Sequence, residues 1–402
     1  MASFSSNTIS LFLPCPDPRQ IQKASYTESC GDDFARIRGK GKQAEQSDAS
    51  STTIAYFKGT IMQKIKAGIA FPSAAYGLTR KQVKFFEPVD KIPEVGDVVY
   101  GEIVQIGEHS SLENKSARIH LIHNGSRGIF VFGNRYAPDY YEARIPTEPV
   151  TEVDLLARSG VIGIIHSKNT QVKDPTRVKI LGFVYDENEK IVNTKNHPIF
   201  TPKKEKKKIP RAKLILICGT AMNSGKSVTA AACCRALSNL GLRVRGTKVT
   251  GTASLKDILH MNDAGAEHYA DFTYLGYPST YLLKEDEVLS IFNKLDLKYA
   301  NNAKNYWVVE FADGINQRET AMLLGHPEVR KRIHKFIFCS YDALGAIGGL
   351  RILKEKFDLV PDAISGVCSS SPLHMRELNE FTNITVFNGF DADLNQMKKL
   401  LD

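Results

Sequence analysis

The chain has little of what a membrane span, a zinc module or a disulfide scaffold requires. None of its apolar runs approaches the roughly 20 residues of a bilayer-crossing helix. Leu11-Phe12-Leu13 has no basic flank and is too short for the apolar core of a secretory leader. Seven cysteines are spread over 402 residues, and no two stand in a CxxC pair, which argues against zinc. Cys218, Cys339 and Cys368 lie in apolar strand-like runs, where a free thiol packs as a small hydrophobe. An odd cysteine count without metal spacing fits a reducing compartment, so a cytoplasmic protein with no membrane partner is the expectation.

The second half has no excess of either charge sign. From residue 214 onward 21 basic residues face 21 acidic ones, whereas residues 1–213 hold 32 against 23. Most of the excess lies in residues 203–213, which carry seven basic side chains and one glutamate. The run Lys203-Lys204-Glu205-Lys206-Lys207-Lys208, between Pro202 and Pro210, reads as a solvated linker spanning 201–212, or as a contact for nucleic acid.

Hydrophobic content of 42% and charged content of 24% are those of a globular protein, and the length suggests two domains. Residues 1–52 show no sustained apolar period and read as loosely ordered. Residues 53–200 read as a mostly β domain, with strand-like runs at 98–106, 117–123, 128–132, 161–166 and 178–184. Asn124-Gly125 reads as a hairpin turn between two of them. A small barrel is one outcome. Phe85, Phe86, Phe130, Phe132, Tyr136, Tyr140 and Tyr141 are candidates for stacking bases or for core.

Residues 213–402 alternate between strand and helix patterns, with strands expected at 213–218, 243–250, 305–311, 335–341, 362–368 and 383–388. This is the pattern of a parallel sheet covered on both faces. The fold class is therefore α/β, a parallel-sheet P-loop NTPase domain preceded by a mostly β domain. Its center is the segment that runs from Lys213 to Ser227. An apolar strand passes into Gly219-Thr220-Ala221-Met222-Asn223-Ser224-Gly225, and Lys226-Ser227 opens an alanine-rich helix that stops at Gly241. Backbone N–H groups of such a loop cradle phosphates, Lys226 would reach the β- and γ-phosphates, and Ser227 would hold Mg²⁺. Gly219, Thr220, Asn223, Ser224 and Gly225 complete the cradle. Five residues separate the two glycines, one more than in the commonest form.

The strand at 305–311 closes on Glu310, followed by Asp313, and an acidic strand end beside a phosphate loop supports Mg²⁺. The second strand ends near Lys248; placed beside the first, it would bring that lysine to the γ-phosphate. Asp257 and Asp263 follow as further metal contacts. Asn293-Lys294-Leu295-Asp296 matches a guanine-reading tetrapeptide but precedes the acidic strand, inside an amphipathic helix; ATP is therefore expected over GTP.

With these residues the carboxyl-terminal half resembles the P-loop proteins grouped with dethiobiotin synthetase and cobyrinic acid a,c-diamide synthase. The five-residue loop spacing, Lys248 after the second strand and Asn262-Asp263 carry the likeness. The resemblance implies that Lys226, Ser227, Glu310 and Asp263 handle Mg·ATP, that Lys248 lies near the reacting group, and that the protein is a homodimer. Phe311 and Asp313 stand where that family has glycines. Three functions follow. The first is an ATP-hydrolysing switch coupled through the β domain and the basic linker to a nucleic-acid or protein partner. The alternative is a synthetase that activates a small carboxylate by γ-phosphoryl transfer. The third is a binding module with a degenerate ATP site and no turnover, which the altered Phe311 and Asp313 keep open.

Overall fold

The computed structural model describes residues 54–57, 60–66, 68–202 and 211–402. Residues 1–52 and the lysine run 203–208, on which the readings of loose order and of a basic contact rest, lie outside the described residues.

Among the described residues the first half forms twelve strands: β1 (Ile54–Phe57), β2 (Thr60–Lys64), β3 (Phe85–Glu87), β4 (Val98–Gln105), β5 (Ser111–Glu113), β6 (Ile119–Leu121), β7 (Arg127–Phe132), β8 (Arg135–Tyr136), β9 (Tyr141–Arg144), β10 (Glu152–Leu155), β11 (Val161–Lys168) and β12 (Thr176–Tyr185). Five of them close into a ring. β4 pairs with β7, β7 with β11, β11 with β10, β10 with β12, and β12 returns to β4. Closure leaves none of these five with a free edge. Their side chains alternate between two cores, Val99, Phe130, Phe132 and Ile162 in one and Val98, Ile129, Val131 and Val161 in the other. Burial on both faces is why these strands read as continuous apolar runs.

Asn124-Gly125 does not join a hairpin. β6 pairs back on β5, β7 pairs with β4, and the Gly125 N–H donates to Ile103 O at 2.7 Å. Ile119 and Leu121 of β6 are exposed, so β6 offers β7 little to bury, whereas β4 offers the buried Val98, Val99, Tyr100 and Ile103. Of the aromatics considered for stacking, Phe86, Phe130, Phe132 and Tyr141 are buried as core.

The second half forms β13 (Lys213–Gly219), α1 (Lys226–Asn239), β14 (Val244–Lys248), α2 (Lys256–Asp263), β15 (His268–Asp271), α3 (Glu285–Tyr299), β16 (Tyr306–Glu310), α4 (Arg318–Gly325), α5 (Pro327–Arg332), β17 (Ile333–Cys339), α6 (Ala343–Phe357), β18 (Ala363–Ser365), α7 (Pro372–Phe381), β19 (Thr385–Val386) and α8 (Leu394–Leu401). The seven strands form one parallel sheet in the order β15-β14-β16-β13-β17-β18-β19. Leu214, Leu216 and Cys218 face α3 and its neighbours, while Ile215 and Ile217 face α1 and α8, so both faces are covered. The edge strand β15 was not legible in the sequence, because His268 and Asp271 interrupt any apolar run. The strand expected at 362–368 stops at Ser365, since Gly366 turns the chain with φ +95° into a short 3₁₀ turn.

The two halves share packing. Tyr76 stacks on Tyr274 with ring centroids 4.7 Å apart, Thr194 Oγ1 donates to Gly276 O at 2.7 Å, and Ala253 is buried among barrel residues. Residues 52–402 form one compact unit.

Candidate nucleotide site

Three strand ends converge. β13 ends at Gly219, β16 at Glu310 and β14 at Lys248, and Glu310 lies opposite both Ile217 and Lys248 in register. The second strand is not next to the first, as the sequence reading had it; β16 lies between them. Lys248 reaches the site across Glu310 instead, with Nζ 3.8 Å from Glu310 Oε1.

The loop from Gly219 to Gly225 turns tightly. A Cβ at Gly219 would lie 2.3 Å from Ser224 Oγ and 2.8 Å from Cys339 O, so only glycine fits. Asn223 adopts φ +58° and Gly225 φ +92°, the left-handed conformations that let the longer loop reverse into α1. Gly225 is the N-cap of α1, so the positive end of the helix dipole faces the loop. Lys226 is 6% exposed, and its Nζ donates to Ala221 O at 2.6 Å, folding over its own loop. Thr220 N–H donates to Cys339 O at 2.9 Å, which ties the loop to β17.

Beside Lys226, the Ser227 hydroxyl lies 2.9 Å from Asp257 Oδ1 and 3.2 Å from Glu310 Oε1. Its single proton serves one carboxylate at a time. Asp257 also accepts a short hydrogen bond from Lys248. Burial disfavours a charged Lys248, but Asp257 and Glu310 outweigh it and hold the ammonium above its ordinary range. Burial pushes the Glu310 carboxyl up, against the pull of Lys248. Asp257 is below the usual carboxylate range despite burial, because Lys248 and Ser227 stabilise its charge.

Of the residues singled out in the sequence, Gly219, Thr220, Asn223, Ser224, Gly225, Lys226, Ser227, Lys248 and Glu310 are thus brought together. Asp263 is not: it lies exposed at the last turn of α2, on the rim of the neighbouring cavity, and Asp257 in the first turn holds the inner position. The two are six positions apart, roughly 1.7 helical turns, which puts them on different faces of α2. Asn293-Lys294-Leu295-Asp296 lies within α3, where Leu295 is buried and Asp296 Oδ1 binds Arg332 Nη2 at 2.8 Å. Phe311, which replaces a family glycine, is fully buried against Phe292 in the core and does not enter the site. Asp313 does enter it, and burial raises its carboxyl, opposed by Lys226, Lys248 and Arg135.

The donors fit a hard divalent cation carried by a nucleotide. All are oxygens, and Glu310 Oε2 is buried without a hydrogen-bond partner among the described residues. Among those residues no cluster of three or more His, Cys, Asp or Glu is arranged as a metal cage. A cation here would need other ligands, which phosphate oxygens supply.

A cavity of about 710 Å³ opens from these groups toward the barrel. Lys248, Asp257 and Asp313 line one side, and His109, Arg135 and Tyr140 line the other. The barrel residues were not legible as site residues, because nothing in the strand patterns distinguishes them from any other polar strand end.

A strand, a glycine-bracketed loop, a Lys-Ser helix start and an acidic neighbouring strand end together define the fold of P-loop nucleotide-binding proteins. No protein-family model matches the chain, and no curated protein matches it. Solved structures similar to it include FtsY from Mycoplasma mycoides, at 14% identity and TM-score 0.31, over 48% of this chain and 68% of that one. The signal recognition particle receptor FtsY from Elizabethkingia anophelis, solved with GDP, is similar at 8% identity and TM-score 0.33, over 50% of this chain and 65% of that one. The match thus spans about two thirds of each receptor. The fold assignment rests on the loop and sheet geometry, not on these values. Among the described residues no helix is long and apolar enough to cross a membrane.

Proposed function

We propose that the chain is a Mg·ATP-dependent enzyme that transfers or activates with the γ-phosphoryl group on a small acidic molecule bound between the loop and the barrel. The observation that carries this reading is the cavity of about 710 Å³, with Lys248, Asp257 and Asp313 lining one end, Ser227 and Glu310 bonded or close behind them, and a barrel wall at the other. The barrel packs onto the nucleotide domain and supplies one wall of this cavity, which suits a small molecule. Of the functions the sequence raised, the synthetase is the one this cavity supports.

In this reading the loop N–H groups and Lys226 bind the β- and γ-phosphates. Ser227 and Glu310 would hold Mg²⁺, with Asp257 beside them; the bound ion would neutralise charge on the phosphate oxygens. Lys226 leaves Ala221 O to do its part. Lys248, kept protonated by two carboxylates, faces the transferred group and stabilises its growing negative charge. The Asp257–Lys248 pair fixes the ammonium in place, which is where preorganisation enters. The resemblance to the dethiobiotin synthetase group supports a carboxylate as acceptor.

Phosphate release from Mg·ATP, measured with a panel of small mono- and dicarboxylates and separately with DNA and RNA, tests the proposal. Stimulation of at least about tenfold by one carboxylate is the expected result. Stimulation by nucleic acid alone would replace the synthetase with the switch. Lys226→Ala should weaken Mg·ATP binding roughly 10- to 100-fold, from the loss of charge-assisted hydrogen bonds.

A further inference from the structure

Arg135 is a buried cation with too few partners. It is 7% exposed, in β8, on the barrel wall of the cavity. Its Nη1 lies 3.0 Å from His109 Nε2, and its Nε has no hydrogen-bond partner. A guanidinium carries five N–H donors, and desolvating it without an acceptor is costly. The remaining contact is with Tyr140, whose ring centroid lies 5.1 Å from Arg135 Cζ. A ring face offsets part of the charge but satisfies none of the N–H groups in the guanidinium plane.

No carboxylate among the described residues lies within 4.0 Å of the guanidinium. Asp313 acts on its charge from farther away. His109 does not supply the missing charge, for burial and the adjacent Arg135 push its imidazole down to about 4, so it is neutral at physiological pH. The other inward cations are engaged. Lys248 is bound to Asp257, and Lys226 belongs to the loop. Arg158 and Lys256 also line the cavity but are exposed, so among the described residues Arg135 is the buried cation on its barrel side without a counter-charge.

We propose that Arg135 is the anion-binding subsite of the cavity, where its guanidinium fork grips a carboxylate or phosphate at the end of the substrate remote from Lys248. This rests on the proposed small-molecule enzyme. It adds that the substrate carries a second anionic group besides the one that reacts, and that the barrel reads it. A planar fork matches a two-oxygen acceptor, and the water-poor wall strengthens the pairing. The Tyr140 ring faces the guanidinium, and His109, whose Nε2 also lies 2.8 Å from Leu156 O, packs against it; both are positioning residues.

The test titrates the full chain calorimetrically with succinate and with inorganic phosphate, with and without Mg·ADP. One of these probes should bind the wild type, and which one does distinguishes a carboxylate from a phosphate terminus. Arg135→Gln should weaken that binding at least about tenfold, and Arg135→Lys should weaken it less, since it keeps the charge and loses the fork. Affinity for Mg·ADP should stay within about twofold in both variants, which also reports that they are folded. The proposal is overturned when neither probe binds the wild type, or when both variants bind the probe as well as the wild type does. If Arg135→Gln does not fold, Arg135→Lys decides by itself. Loss of Mg·ADP binding in the wild type with the probe still bound would count against the nucleotide reading and leave the anion subsite standing.

Discussion

Asn223 Nδ2 donates to Asp139 Oδ2 at 2.6 Å, a hydrogen bond between the phosphate loop and a barrel loop 84 residues earlier in the chain. Asn223 is also the residue that takes φ +58° to accommodate the longer loop. The barrel therefore helps to hold the loop in shape. Asp139→Ala and Asn223→Gly should each weaken Mg·ATP binding by roughly three- to tenfold, the worth of one hydrogen bond. Glycine keeps the backbone conformation, so Asn223→Gly isolates the side chain. The double variant should be no weaker than either single one. Full additivity in that cycle would show that the two residues act separately.

Asp257 and Asp263 are both on α2, yet only Asp257 touches Ser227 and Lys248. Asp257→Asn should reduce phosphate release at least about tenfold. It should also destabilise the fold by about 3 kcal/mol, because one half of a buried ion pair is removed. Asp263→Asn, at an exposed position, should change either quantity little. Comparable losses in both variants, read by turnover and thermal melting, would move the inner carboxylate back to Asp263.

Asp271 ends β15 with Oδ1 accepting from Thr273 and Oδ2 buried without a partner. Burial pushes its carboxyl up to about 6, against an ordinary 3.8, with Thr273 opposing. Because the folded value is the higher one, the folded chain keeps a proton that the unfolded chain has lost between about pH 4 and 6. This contribution to stability is present below that window and is lost as pH rises through it. Asp271→Asn removes the dependence. The unfolding free energy of Asp271→Asn relative to the wild type, read from melting curves, should therefore rise from pH 4 to pH 6 and level off above, with a span of up to roughly 3 kcal/mol. Glu310 and Asp313 are also raised but are common to both proteins, so they drop out of the difference. A constant offset across the window would contradict the reading.

Glu310 was legible as an acidic strand end, but its meeting with Ser227, 83 residues earlier, was decided by the sheet. The glycine-bracketed loop with Lys226 and Ser227 at the start of α1 is a local pattern and was legible from the order of residues. The same holds for α1, whose start at Lys226 and end before Gly241 follow from a glycine cap and an uninterrupted alanine-rich run. Tertiary structure decided what depends on distance across the sheet. Strand order put β16 between β13 and β14, so Lys248 reaches the site over Glu310 rather than beside the loop. A helical turn of 3.6 residues put Asp257 inward and left Asp263 at the rim. Phe311, which stands where the resembled family has a glycine, faces away from the site and fills the core, as residues alternating along a strand do. Arg135 and Asp139 joined the site only through packing of the barrel, since no local pattern separates a buried, unpartnered arginine from a solvated one. Its state is set by the desolvation that the surrounding fold imposes.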